Sequence, residues 1–282
     1  LDDDGTMANK PFRGNTNLTK VVVGEKFTKL SASYFEGCSA LADVTFEGQP
    51  TEFNSATFAG TAVKSIEIPA SITNIPASCF AGCAQLAKVT CKGEVASIEA
   101  MAFQNTGLAT FEGFPASIAT IADMAFQNAK LSGDLTLPAS LARLGAQAFA
   151  GNEGITSIAM PAPLRSIGNG AFMRIPALAT LTVDAANENY VDVDHKYITD
   201  KEGKTLVAFA PMCDIETLDI PTVEAIAPYA CYGATKLKAL KADACTNYGD
   251  YSLLGSGLES LTVKGLVGRY VAQDCHSLAE LT

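Results

Sequence analysis

From Val63 to Cys83 the chain reads VKSIEIPASITNIPASCFAGC, and this stretch decides the fold. Val63, Ile66 and Ile68 are apolar positions spaced three and two apart, with Glu67 between the last two. That alternation is how a short, half-buried strand reads. Pro69 follows where a strand can end at its edge, because no ladder donor is needed there. Ile72 and Ile75 then lie eight and five residues before Phe80, which sits in a loop of small residues.

The same pattern returns along the chain. Phe12, Phe35, Phe58, Phe80, Phe103, Phe126, Phe149 and Phe172 are separated by 23, 23, 22, 23, 23, 23 and 23 residues. Five residues before these phenylalanines, from Phe35 on, stand Leu30, Phe53, Ile75, Ile98, Ile121, Leu144 and Ile167. Five or six residues after stand Leu18, Leu41, Val63, Leu86, Leu108, Leu131, Ile155 and Leu178. A fixed period of this size marks a solenoid, whose units bury their apolar side only against their neighbours. Pro115, Pro138, Pro161 and Pro221 take the place of Pro69 in other repeats. One repeat is thus a strand, a turn, a second short extended piece and a loop carrying the phenylalanine. Stacked parallel strands about 4.8 Å apart would make roughly eleven repeats into a rod on the order of 50 Å long.

Towards the C-terminus Cys231, Leu253 and Ala272 take the phenylalanine slot. The gap from Phe172 to Cys231 predicts one ordinary repeat plus an insertion of about 36 residues, roughly 184–214. Its text from Tyr190 to Pro211, YVDVDHKYITDKEGKTLVAFAP, has two β-rich runs around a turn at Asp200 to Lys204. It reads as a β-hairpin protruding from one edge of the solenoid.

The run Val63 to Cys83, with Ala171-Phe172, resembles the BspA-type leucine-rich repeat of surface proteins from Bacteroides-like bacteria and some parasites. The inserted segment, with its Tyr, Asp, Gly and final Pro, is similar to an insertion common in that family. The resemblance covers nearly the whole chain from about Phe12. It implies a secreted or surface-attached protein, some members being credited with binding host matrix or plasma proteins such as fibronectin and fibrinogen. It implies no catalytic residues. The expected fold is a single right-handed, β-rich leucine-rich-repeat solenoid over 1–282 with a parallel sheet and the inserted hairpin.

Composition fits such a chain. Of 282 residues 18% are charged and 48% apolar, and no stretch approaches the ~18 apolar residues of a membrane helix. Membrane insertion of this segment is therefore not expected. A net charge of −10 disfavours nucleic acid and anionic membranes, which attract clustered Lys and Arg. The opening Leu1-Asp-Asp-Asp-Gly5 is not a signal peptide, so either one was removed, by processing or by cloning, or the protein never had one; removal is the expectation for a secreted or surface protein. The chain begins and ends inside a repeat, and solenoids normally carry polar caps. The expectation is a piece of a longer protein, or ends covered by a partner copy.

No chemistry stands out. The eight cysteines read chiefly as small buried hydrophobes. Cys38, Cys83 and Cys275 share the position three after the core slot, in repeats that are not adjacent, and one disulfide among Cys213, Cys231 and Cys245 stays open. Cys79 and Cys83 have no second pair or nearby histidine to complete a metal site. His195 lies beside Asp192 and Asp194, and nothing in the spacing brings it to a nucleophile. Asp192, Asp194, Asp200 and Glu202 lack the glycine and glutamate of a calcium loop. Neither metal nor cofactor is expected, and no enzyme activity.

What remains is surface, and two stripes emerge. The outward strand position reads Thr45, Glu67, Thr90, Thr136, Ala159, Thr182, Asp219, Lys241 and Thr262, a threonine-rich face whose plain reading is good exposed strand residues. Two residues before the core slot stand Tyr229, Tyr251 and Tyr270, where earlier repeats carry Ser33, Ala56, Ser78, Met101, Met124, Gln147 and Gly170. These tyrosines should stack into a ladder with Tyr232 close by, either packed on the flank or presented to a partner. The expectation is a non-enzymatic binding or adhesion module, secreted or at a cell surface, for a protein partner, with carbohydrate binding as the alternative. Glycan capture is weakened by the absence of tryptophan.

Overall fold

The structure, a computed structural model, describes residues 11–282. No helix occurs among the described residues; every regular element is a short strand. One turn of the solenoid shows why. Ser65–Ile68 is exposed, buried, exposed, buried in sequence order, so Ile66 and Ile68 point inwards while Glu67 faces water. The chain turns at Pro69, runs through the two-residue strand Asn74–Ile75 and enters the loop that carries Phe80. Equivalent strands of successive turns pair in parallel, as Ser65–Ile68 does with Lys88–Cys91.

Two compact units can be distinguished. The first comprises the residues up to Leu131 together with Pro138–Asn152. Its spine is the phenylalanine column. Phe12, Phe35, Phe58, Phe80, Phe103, Phe126 and Phe149 stack with successive centroids 5.7, 5.6, 5.5, 5.3, 5.2 and 5.4 Å apart. From Phe58 to Phe149 these rings have no exposed surface. Burying each contributes about 1.5–3 kcal/mol. Backbone bonds clip the loops together beside the rings, as in Phe58 N–H to the Cys79 carbonyl (2.9 Å) and Phe80 N–H to that of Ala102 (2.8 Å).

Three residues after the slot runs a polar column buried in the core. The Cys38 thiol donates to the Phe12 carbonyl (2.9 Å) and that of Cys83 to the Phe58 carbonyl (3.1 Å). Asn152 goes further: its amide donates to the carbonyls of Phe126 (2.8 Å) and Phe149 (2.7 Å) and accepts from the Leu131 N–H (2.9 Å). The carbonyls of Phe12, Phe58 and Phe126 also accept the N–H groups of Asn15 (3.0 Å), Thr61 (3.3 Å) and Ala129 (3.2 Å), so the column adds a second bond to each.

One strand predicted by the prolines does not form. Residues 109–113, before Pro115, are irregular, because Phe111 and Phe114 lie against one another (4.7 Å) and both pack edge-on to Phe126. Two large rings in one turn leave no room for the regular ladder.

The second unit comprises Ser132–Leu137 and Glu153–Thr282. Ser132–Thr136, Gly154–Met160 and Thr180–Val183 form a three-stranded parallel sheet. Where the sequence predicts a protruding hairpin, three strands run antiparallel: Tyr190–Val193, Tyr197–Asp200 and Thr205–Phe209. The last also pairs in parallel with Ala225–Ile226, so it is a rung of the solenoid sheet. The segment is tied to the preceding turn by the Leu181 N–H to the His195 carbonyl (2.8 Å) and the Val183 N–H to Asp192 Oδ2 (2.8 Å). Phe209 donates its N–H to the Ala230 carbonyl, the bond that Cys231 makes to Ser252 and Leu253 to Val271. It thus takes the core slot of this turn, and it lies 22 residues before Cys231, one period away.

Candidate binding surface

The loop carrying the core slot bends through a left-handed residue two positions earlier. In the first unit these are Ser33, Ala56, Ser78, Met101, Met124 and Gln147, with φ between 55° and 58°. In the second they are Gly170, Tyr229, Tyr251 and Tyr270, with φ of 64°, 64°, 58° and 56°. The bend aims successive N–H groups at the next turn, as Tyr229 does at Asp250 (3.1 Å) and Tyr251 at Arg269 (2.9 Å). A non-glycine residue held there costs roughly 1–2 kcal/mol. Glycine would fit best, so three tyrosines in this place do not serve the backbone.

The tyrosines form the expected ladder. Tyr229 and Tyr251 stack at 5.0 Å with planes 8° apart, and Tyr251 and Tyr270 at 5.2 Å and 20°. Tyr232 lies 6.4 Å from Tyr229, tilted by 43°. Beneath the first ring lies Gly170, where a Cβ would come within 3.1 Å of the Tyr229 ring. Tyr229 and Tyr251 are half-buried, and Tyr270 is 58% exposed. Burial pushes the Tyr229 hydroxyl pKa up, with a smaller push from Tyr251. The Tyr229 hydroxyl is therefore a neutral donor at physiological pH. Beside the rings Arg269 grips Asp250 through Nε (2.9 Å) and Nη2 (2.7 Å), and its backbone N–H donates to Oδ1 (2.7 Å). That N–H, then the guanidinium, holds the Asp250 carboxyl below its ordinary range.

The loops of the first unit carry an amide ladder that sequence reasoning passed over. Gln104 Nε2 donates to Gln127 Oε1 (2.7 Å) and Gln127 Nε2 to Gln147 Oε1 (2.9 Å). Asn128 donates to Asn105 (3.1 Å). Gln104 and Gln127 share one repeat position and Asn105 and Asn128 another, with Gln147 at the left-handed position of the next turn, but polar residues in a loop carry no hydrophobic period.

The threonines are less gathered than the tyrosines. Thr90 pairs with Glu67 in a two-stranded sheet of the first unit. Thr136 and Thr182 flank Ala159 in the three-stranded sheet of the second. Thr262 lies beyond the strand Ser260–Leu261, its hydroxyl 3.2 Å from that of Thr282. The sheets are interrupted between these places.

His195 and Asp192 meet at 2.6 Å through Nδ1 and Oδ1, and the same oxygen accepts the His195 N–H. Asp192 thereby closes the tight turn at Asp194 and His195, both in left-handed backbone (φ 50° and 59°). The eight cysteines are free. Burial pushes the thiols of Cys79, Cys83 and Cys231 up, and that of Cys91 to about 12.

These features define a leucine-rich-repeat solenoid. The chain belongs to the BspA type leucine rich repeat family, whose model matches residues 5–132, 121–192 and 206–282 in 6 copies. Among curated proteins, no sequence matches it. Of solved structures, a leucine-rich repeat protein from Eubacterium ventriosum is similar over 78% of this chain at 23% identity and a TM-score of 0.70. This chain spans 60% of that protein's length. The pneumococcal vaccine antigen PcpA aligns over 93% of this chain and 67% of its own at 16% identity and a TM-score of 0.45. A leucine rich cell surface protein from Faecalibacterium prausnitzii aligns over 94% and 78% at 17% identity and 0.42. No helix among the described residues is long and apolar enough to cross a membrane.

Proposed function

We propose that this protein is a non-enzymatic binding module, secreted or held at a bacterial surface, which recognises a host extracellular protein through the tyrosine ladder. The observation that carries the reading is the placement of Tyr229, Tyr251 and Tyr270 in stacked register on strained left-handed backbone. The same left-handed position takes Ser, Ala, Met, Gln or Gly in the other turns, so the backbone itself does not call for tyrosine there. Tyrosine adds apolar area and a hydroxyl at little conformational cost, and it is enriched at interfaces. The rings are already fixed against one another, so binding orders little. The threonines at 90, 136, 182 and 262 would add hydroxyl contacts within their own sheets. The surface location rests on the family resemblance.

Carbohydrate capture is less well served by this geometry. Sugars stack on ring faces, and the faces of Tyr229 and Tyr251 lie against each other. What a ligand meets is a row of ring edges and hydroxyls spaced by about one strand separation.

The test is a triple Tyr229→Ser, Tyr251→Ser, Tyr270→Ser variant against a panel of matrix and plasma proteins by surface plasmon resonance. Binding should weaken about a hundredfold, the scale of several aromatic contacts, with the melting temperature nearly unchanged. Undiminished binding would refute the reading, and collapse of the fold would assign the rings to packing.

A further inference from the structure

We propose that the tyrosine ladder is a site of oxidative cross-linking, at which a haem peroxidase with hydrogen peroxide joins the ring of Tyr251 to that of Tyr270 or Tyr229 through a carbon–carbon bond. This chemistry belongs to the rings themselves and does not depend on the partner reading.

A phenol that gives up one electron and its proton becomes a radical. Its unpaired electron lies in the ring π system, densest on the oxygen and on the two Cε carbons beside it. Two such radicals couple where the lobes above their planes meet. Tyr229 and Tyr251 lie 5.0 Å apart with planes 8° from parallel, and Tyr251 and Tyr270 lie 5.2 Å apart at 20°. All three leave the same repeat position, with φ between 56° and 64°. Tyr251 N–H donates to the Arg269 carbonyl (2.9 Å), which clips the loop of Tyr251 to the loop of Tyr270. Stems in neighbouring turns stand about one strand separation apart, ~4.8 Å, a span that two phenols joined at Cε can bridge.

The other tyrosines are not placed in this way. Tyr34 meets Phe12 and Phe35 edge-on. Tyr248 is 2% exposed, with its hydroxyl on the Thr262 carbonyl (3.2 Å). Tyr190 and Tyr197 stand at opposite ends of one hairpin, across from Asp200 and Val193. Tyr232 lies 6.4 Å from Tyr229 but is tilted by 43°, which turns its lobes aside.

Exposure sets the order of events. Tyr270, 58% exposed, is the phenol a peroxidase reaches first. Oxidised Tyr270 draws an electron from Tyr251 across the ring contact, while the Tyr251 proton leaves to water and Tyr270 regains one. Tyr270 can then be oxidised again, so that both members of one stacked pair are radicals. Tyr229 and Tyr251 are half-buried and thereby shielded from other chains. Their nearest coupling partner is the next rung.

The step balances. Two phenols each lose one electron and one proton, and the peroxide takes both pairs to become two waters. The new bond joins Cε to Cε, and the hydrogen on each joined carbon moves to its ring oxygen, restoring both phenols. The product lacks two hydrogens. Peroxide also oxidises methionine, which appears separately as added oxygen.

The test treats the whole chain, dilute, with hydrogen peroxide and a haem peroxidase. Dityrosine fluorescence should appear in the electrophoretic band of the single chain. After trypsin, the peptide 242–264, which holds Tyr251, should be joined to 270–282 or to 205–236. Tyr251→Phe keeps a ring in the stack without its phenol and should lose the cross-link, because Tyr229 and Tyr270 are two turns apart. Tyr270→Phe should leave only the link to 205–236. The Tyr190→Phe, Tyr197→Phe variant should cross-link as the parent does. Absence of dityrosine fluorescence, a cross-link that survives Tyr251→Phe, one that maps to other tyrosines, or one formed only between chains would each overturn the proposal. Partner binding is measured without oxidant, so none of these results decides it.

Discussion

The ring of Tyr251 lies flat on that of Tyr229, centroids 5.0 Å apart, although the two residues are a full turn of chain apart. Each ring projects from a backbone that tyrosine adopts only at a cost. Tyr251 is the middle rung, in contact with both neighbours. Tyr251→Ser alone should therefore weaken partner binding more than Tyr270→Ser, by about 1 kcal/mol. Parallel binding isotherms of the two variants check this.

The phenylalanine spine should be unequal in its contributions. Phe103 is fully buried between Phe80 and Phe126, at 5.3 and 5.2 Å, with Phe114 edge-on. Phe103→Ala should cost about 3–5 kcal/mol. Phe12 is 37% exposed, and Phe12→Ala should cost about 1 kcal/mol. Urea unfolding midpoints give both values.

Asn152 satisfies three backbone groups while wholly buried. Asn152→Ala strands the Phe149 carbonyl and the Leu131 N–H in the core, while the Phe126 carbonyl keeps the Ala129 N–H (3.2 Å), and should cost about 2–3 kcal/mol. Asn105 is exposed and joined only by the Asn128 amide. Its replacement by glycine, which suits the same left-handed backbone (φ 56°), should stay within about 0.5 kcal/mol, measured on the same unfolding curves.

Ala56 sits at φ 57°. Ala56→Gly relieves left-handed strain and loses only chain entropy in return, so it should stabilise by about 0.5–1 kcal/mol. A rise of the melting temperature in calorimetry is the expected sign.

The thiols set an upper pH limit. Burial holds Cys91 un-ionised up to about 12, while an unfolded thiol ionises near 9.0. A folded pKa raised in this way contributes stability that is complete below about 9 and is lost as pH climbs towards 12. Unfolding free energy should thus fall steadily above pH 9. Iodoacetamide should label the native protein slowly at pH 8 and all eight cysteines in urea.

The sequence exposed the period, the inward positions and the tyrosine column, because each depends on spacing alone. Phe209 escaped, though counting one period back from Cys231 reaches it, because the intervening strands disguise the repeat. The left-handed loop position was hidden by its occupants. Ser, Ala, Met, Gln and Tyr stand there, and only Gly170 advertises the conformation.

The central claim is that the tyrosine edge of the second unit is the face a partner covers. Amide hydrogen exchange of the protein with and without a captured matrix or plasma protein tests it most directly. Slowed exchange confined to residues 226–232, 247–253 and 266–272 is the predicted result. Protection elsewhere, with those loops exchanging as in the free protein, would contradict it.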